Sequence, residues 1–286
     1  MQAQLNAALG LDMGAPLAAS LLSFIGGTLT LLLWTAAAGR LQIRLVLRSR
    51  RVRPWWLFGG VSAAVLVTAA AAFVPVIGLS LLAISVVTGQ LIGSLIVDWL
   101  GLTPGARRLP TPARVVAALL AICALVLGSS TGAAQVDVPI SVLLALVGFA
   151  LSFGAAANGR LRDAFQDSGL AALVNFLVAL ACVAAVVANL ILFHDFAFRP
   201  PSVPPWIYLG GPLGAIWVAL SARLVSRLGV LRLYLASVAG QLVGSLLLDV
   251  MAPLAPTPLT PSRVAGMALV AAAVLLASTR SCADCS

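Results

Sequence analysis

Long apolar stretches recur from one end of the chain to the other, separated by short joints rich in Pro, Gly and Arg. Within a stretch such as Leu170 to Phe193 the apolar residues are nearly continuous, with no in-out alternation. A hydrocarbon core of about 30 Å is crossed by about 20 helical residues, and these stretches have that length. Lipid supplies no hydrogen-bond partners, so only helices or a closed barrel can cross it. Continuous apolar runs lack the two-residue period of a barrel strand. The pattern therefore predicts nine helical spans, at 16–39, 55–73, 76–99, 112–128, 139–157, 169–193, 206–222, 231–250 and 262–279. Pro54, Pro75, Pro112, Pro139, Pro205 and Pro261 fall at or near their ends, where a residue without an N–H is tolerated.

Composition strengthens this reading. Apolar residues make up 62% of the 286, and charged residues 9%, too few for the shell of a soluble fold. The net charge of +9 comes from Arg and Asp alone, since the chain has no Lys and no Glu. A basic balance raises nucleic-acid binding for a soluble domain. Here the arginines sit in short joints between spans, so the expected partner is the lipid bilayer, and nucleic acid is not expected. Arg40, Arg44, Arg48, Arg50, Arg51 and Arg53 crowd the first joint, where they serve as a topology anchor or as an interfacial helix on anionic lipid. Arg-rich and Arg-poor joints then alternate: 74–75 has none, Arg107 and Arg108 follow, 129–138 has only Asp137, and Arg160 and Arg162 come next. The next joint has Arg199 beside His194 and Asp195, Arg223 and Arg227 then precede an uncharged 251–261, and the tail has Arg280. Cytoplasmic loops hold the excess of arginine, so the N-terminus is expected outside and the C-terminus in the cytoplasm. Abundant Ala and Arg with no Lys fits a GC-rich bacterial genome, hence a bacterial cytoplasmic membrane.

The chain also matches itself. Gly89-Gln-Leu-Ile-Gly-Ser-Leu-Ile-Val-Asp98 returns 151 residues later as Gly240-Gln-Leu-Val-Gly-Ser-Leu-Leu-Leu-Asp249. Pro54-Trp55 matches Pro205-Trp206, Gly59-Gly60 matches Gly210-Gly211, and Thr111-Pro112-x-Arg114 matches Thr260-Pro261-x-Arg263. Asn6, Leu9 and Phe24 match Asn158, Leu161 and Phe176. Two copies of one transmembrane unit are expected, at 1–128 and 139–279. Counting spans places the Asp98 end of its helix in the cytoplasm and the Asp249 end outside, so the copies are inverted. Inverted repeats around a midplane site are the architecture of many secondary transporters. The copies are unequal: a full span, 139–157, precedes Asn158, whereas five residues precede Asn6. The first helix of the first copy is expected to be missing, through a misassigned start or a truncation.

On a helix, positions i, i+4 and i+8 share a face. Gln90, Ser94 and Asp98 therefore form a polar stripe beside Gly89 and Gly93, and Gln241, Ser245 and Asp249 form its counterpart beside Gly240 and Gly244. At 1.5 Å rise per residue each Gln lies about 12 Å inward of its Asp, near the midplane if the Asp marks an interface. Two readings stand. Gly-x-x-x-Gly with Gln and Ser suits helix-helix assembly, while paired carboxamides suit recognition of a polar solute. Asp98 with Arg114, and Asp249 with Arg263, are expected as interfacial ion pairs, and a membrane carboxylate can also couple to protons. Trp217 and Asn175 lie within spans and are further candidates for lining a cavity, with lipid contact or interhelical bonding as the alternatives. Trp34, Trp55, Trp56, Trp99 and Trp206 sit near span ends, as belt residues do. His194 is the sole histidine, and Cys282 with Cys285 is a lone Cys-x-x-Cys, so no metal site and no cofactor is expected. Without Glu, and with one loop His, no catalytic set is legible, and an enzyme is not expected.

The Gly-Gln-x-x-Gly-Ser-x-x-x-Asp stretch followed by Thr-Pro-x-Arg resembles the YdcZ-like branch of the drug/metabolite transporter superfamily. Asn6 and Leu9, with Ser23-Phe24 and Asn175-Phe176, fit the same family. The resemblance covers nearly the whole chain and is to the fused form, with five helices per repeat. It implies that 76–99 and 231–250 line a central cavity, which favours Gln90 and Gln241 as solute contacts. It carries over no substrate, and the membrane Glu of related small multidrug exporters has no equivalent here. The expected function is secondary or facilitative transport of a small polar or amphipathic solute by alternating access. The alternative is a non-transporting scaffold or an accessory subunit of another transporter, and a homodimer is the candidate assembly.

Overall fold

Proline sets where several helices begin, because its missing N–H costs nothing in a first turn. Pro16 opens α2 (Pro16–Ala37), Pro112 opens α4 (Pro112–Ser129) and Pro261 opens α8 (Pro261–Thr279). Pro54 and Pro205, matched between the copies, open short 3₁₀ turns, Pro54–Leu57 and Pro205–Leu209. These lead into α3 (Phe58–Trp99) and α7 (Gly210–Met251). The remaining helices are α1 (Gln2–Met13), α5 (Ala134–Phe165) and α6 (Ser168–Phe193). Asp167 caps α6, its carboxylate accepting from the Leu170 N–H at 2.9 Å. The computed structural model describes residues 1–38, 52–102, 109–129, 134–194, 196–251 and 260–279, with side chains described there except at 134–137, 219, 221–236 and 278–279. Arg40 to Arg51, Arg107, Arg108, Asp195, Arg280, Cys282 and Cys285 lie outside the described residues, as do the side chains of Asp137, Arg223 and Arg227.

The protein is an all-helical, multi-pass membrane protein. Pro16–Ala37, Pro54–Trp99, Pro112–Ser129, Val138–Phe165 and Ser168–Phe193 are long and apolar enough to cross a bilayer, and Ser237–Met251 and Pro261–Ala277 are shorter apolar helices. Four boundaries differ from the sequence reading, one of them in α7, which runs without a joint through 223–230 where two spans were expected. Residues 2–13 are helical, where no span was expected, and the helix ends on Gly14 at φ 64°. α5 runs on through Arg160 and Arg162 to Phe165, eight residues past the expected end. In both cases a buried apolar pair four residues apart, Leu9 with Met13 and Leu161 with Phe165, continues one helical face beyond the hydropathy window. In sequence register α1 corresponds to the last part of α5, so the first copy does carry the end of that helix. The third difference lies in α3: no joint opens at 74–75, and helical geometry instead breaks at Gly78.

The chain forms two compact units, and neither is one sequence copy. Residues 1–72 with 154–223 make the first, and 73–153 with 224–286 the second. In the first unit matched residues meet across a local two-fold relation. Phe24 and Phe176 pack edge to face with ring centroids 5.8 Å apart. Gly59 lies against the Asn158 carboxamide, and its counterpart Gly210 lies against that of Asn6. Gly60 packs on the Asn175 backbone, and Gly211 on that of Ser23. Each contact joins one copy to the other. The second unit is built around Ile84, Val87, Ala117, Ala121, Ala124, Val270 and Ala273, all buried. Small residues let α4 and α8 approach closely; a Cβ at Gly266 would stand 2.9 Å from the Ala124 carbonyl oxygen.

Candidate transport site and helix break

The decapeptide that marks each copy ends α3 and α7, and both belong to the second unit. In the first copy its glycine face is filled. A Cβ at Gly89 would run into the Ala145 carbonyl oxygen, and one at Gly93 would stand 2.8 Å from that of Phe149. From the other side, a Cβ at Gly148 would run into the Val86 carbonyl oxygen. The Ser152 hydroxyl donates to the Gln90 carbonyl at 3.0 Å, and that of Thr88 to the Ala121 carbonyl at 3.0 Å. In the second copy Gly240 and Gly244 have nothing within 4 Å among the described residues.

The polar stripe has the same internal bonding in both copies. Ser94 donates to the Leu91 carbonyl at 2.8 Å, and Ser245 to that of Leu242 at 2.9 Å. These hydroxyls are satisfied by their own helix. Gln90 is half-buried and Gln241 exposed, and neither carboxamide has a hydrogen-bond partner among the described residues. Among the described residues the amides are therefore the polar groups of the stripe left without a partner.

The two Asp/Arg pairs behave differently. Asp98 Oδ2 lies 2.8 Å from Arg114 Nη1, with both side chains partly exposed. The expected pairing of Asp249 with Arg263 is not what the second copy does. Asp249 Oδ1 accepts from the Leu79 N–H at 2.9 Å, and Oδ2 from the Ser80 N–H at 2.8 Å and from the Ser80 hydroxyl. Arg263, 2% exposed, donates from Nη1 to the Ile77 carbonyl at 3.2 Å. The reason lies at Gly78, whose φ 82° and ψ 166° are open to glycine alone. A break there orphans the N–H groups that start 79–99 and the carbonyls that end 58–77. A carboxylate suits the positive end of one segment, and a guanidinium the negative end of the other. Nothing in the sequence spacing pointed to this contact, although Gly78 close after Pro75 was a visible signal of a break.

The remaining candidates belong to the first unit. Asn175 is buried, and its Oδ1 has no partner among the described residues; Asn158 Oδ1 is in the same condition. Trp217 is 43% exposed and shares an exposed apolar face with Ile216 and Leu220, a surface that lipid would cover. Among the described residues no group of His, Cys and Asp could hold a metal ion.

No curated protein and no solved structure matches the chain. A family model does, and it matches twice, over residues 1–127 and again over 140–276. Its description reads "Putative inner membrane exporter, YdcZ", and it is labelled DMT_YdcZ. Together the matches take in both copies of the decapeptide and both Thr-Pro-x-Arg motifs. The chain belongs to the DMT_YdcZ family, a family of multi-pass inner membrane transport proteins.

Proposed function

We propose that the protein is a secondary or facilitative transporter that moves a small polar or amphipathic solute by alternating access between two inverted repeats. The family description supports membrane transport, and outward movement is the direction it names. The observation that carries the finer reading is the state of Gln90 and Gln241. Among the described residues both amides lack partners, while the serines one turn away are bonded to their own backbone. A carboxamide offers two donors and an acceptor, so a pair of them can hold a solute carrying hydroxyl, amide or amine groups. Ser94 and Ser245 can join by releasing their intrahelical bonds. Asp98 and Asp249 are assigned to conformational control rather than to solute contact. The chain acts as a transporter rather than an enzyme, in the cytoplasmic membrane, with its C-terminus in the cytoplasm.

Reconstituted protein, screened against solute mixtures with and without a pH gradient, tests this reading. Gln90→Ala and Gln241→Ala should insert normally and lose uptake by about tenfold, the value of one or two hydrogen bonds in a site shielded from water. Normal uptake in both would return the stripe to assembly. A second reading, an accessory subunit, draws support from the face at Gly240 and Gly244, which is open among the described residues. It requires that the isolated protein move no solute and that activity appear when a partner is added.

A further inference from the structure

One Asp/Arg motif occurs twice in the chain, and the second unit holds its two copies in different states. Asp98 and Arg114 close on each other at 2.8 Å. Asp249 and Arg263 are instead spent on the backbone of the other copy, on either side of Gly78. The carboxylate holds the N-terminus of 79–99, and the guanidinium holds the C-terminus of 58–77. The segment so fixed carries Gln90 and Ser94. Asp249 and Arg263 therefore set where the first copy's stripe stands.

Sequence register supplies the other half. Gly78-Leu79-Ser80 corresponds, 151 residues on, to Gly229-Val230-Leu231. The glycine needed for a break is present in both copies, and so is the Asp/Arg pair that could span it. We infer that the protein has two exchangeable clamps. In one state Asp249 and Arg263 grip the break at Gly78 while Asp98 and Arg114 pair with each other. In the opposite-facing state Asp98 and Arg114 grip the backbone at Gly229, and Asp249 pairs with Arg263. The four side chains are positioning residues: they touch backbone, and they select which stripe is held. Each exchange breaks one ion pair and makes another, so the charges stay partnered throughout and neither state leaves a bare carboxylate in lipid.

The clamps are not equal. Ser80 adds a hydroxyl donor to the Asp249 carboxylate, and its counterpart Leu231 has none to offer Asp98. The Asp249 clamp is accordingly the favoured state, and the hydroxyl is its bias.

This inference rests on the transport reading for its meaning, but its test does not use a solute. The full chain, with its four cysteines replaced and Val76→Cys added near the break, is reconstituted in liposomes and labelled with a membrane-impermeant maleimide. Val76 is partly exposed, so the reporter reads opening at the break. Asp249→Ala, which removes three hydrogen bonds to the carboxylate, should speed labelling, and Asp98→Ala should slow it, each by about tenfold or more, as even one charge-assisted hydrogen bond shifts a two-state balance by that much. Ser80→Ala should move the rate in the Asp249→Ala direction by a smaller factor. Asp249→Asn keeps one acceptor oxygen and gives the same sign if the alanine variant does not fold. Equal rates, or shifts of the same sign for Asp98 and Asp249, would overturn the exchange and leave Asp249 a static cap. Opposite shifts in a protein that moves no solute would keep the clamps and refute the transport reading instead.

Discussion

The decapeptides at 89–98 and 240–249 differ at three positions, each by one aliphatic residue for another, yet their surroundings have little in common. Around Gly89 and Gly93 the backbone of α5 comes so close that no Cβ would fit, and Ser152 donates into the helix. Around Gly240 and Gly244 there is open space among the described residues. Sequence therefore sets what a helix face can do, and its neighbours decide whether it does it. A glycine pair is an opportunity for close approach, realised at 89 and 93 and, among the described residues, unused at 240 and 244. The same lesson holds for Asp98 and Asp249, one closed on its arginine and the other committed to a helix break.

Substitutions can break this contrast in graded steps. Gly89→Ala should have the largest effect, because the added methyl meets backbone that cannot rotate away; a loss of about 2–3 kcal/mol is expected from overpacking. Unfolding of purified protein in mixed micelles by increasing denaturing detergent would measure it. Ser152→Ala removes one interhelical hydrogen bond and should cost about 0.6 kcal/mol, the typical value for such bonds in membrane bundles. The same unfolding series reads it, with Gly89→Ala as the internal scale. Gly240→Ala should cost nothing and can add up to about 1 kcal/mol, since alanine is the better helix former and meets no neighbour among the described residues. If Gly240→Ala were as damaging as Gly89→Ala, the second face would be covered in the working protein and the contrast would fall.

Much of the fold was legible because lipid leaves the sequence few choices. Continuous apolar runs bounded by proline located the apolar helices, although 55–73 runs on into 76–99 and 206–222 into 231–250, and the duplicated landmarks led to the family that matches the chain twice. What escaped was local and amphipathic. In α1 and the end of α5 one buried apolar pair four residues apart, Leu9 with Met13 and Leu161 with Phe165, marks the helical face, and a hydropathy window averages so short a signal away. The break was placed at the proline because Pro75 is the conspicuous disruptor, whereas only glycine can take the φ of 82° that Gly78 adopts. The partner of Asp249 was missed for a different reason. Proximity in sequence favours Arg263, fourteen residues away, while the groups that needed the carboxylate were orphan N–H groups 169 and 170 residues away. The candidate amides were visible as a helical stripe, but that Gln90 is half-buried and Gln241 exposed depends on packing no periodicity encodes.

Alternating access as proposed requires that the two copies run through the membrane in opposite directions. Single cysteines at Leu100 and Met251, matched positions just beyond Asp98 and Asp249 and both exposed, test this directly in a chain without its own cysteines. Labelled with an impermeant maleimide in intact spheroplasts and in inverted vesicles, Leu100→Cys should react only from the cytoplasmic side and Met251→Cys only from the outside. Reaction of both from the same side would make the copies parallel, and the inverted-repeat mechanism would be contradicted.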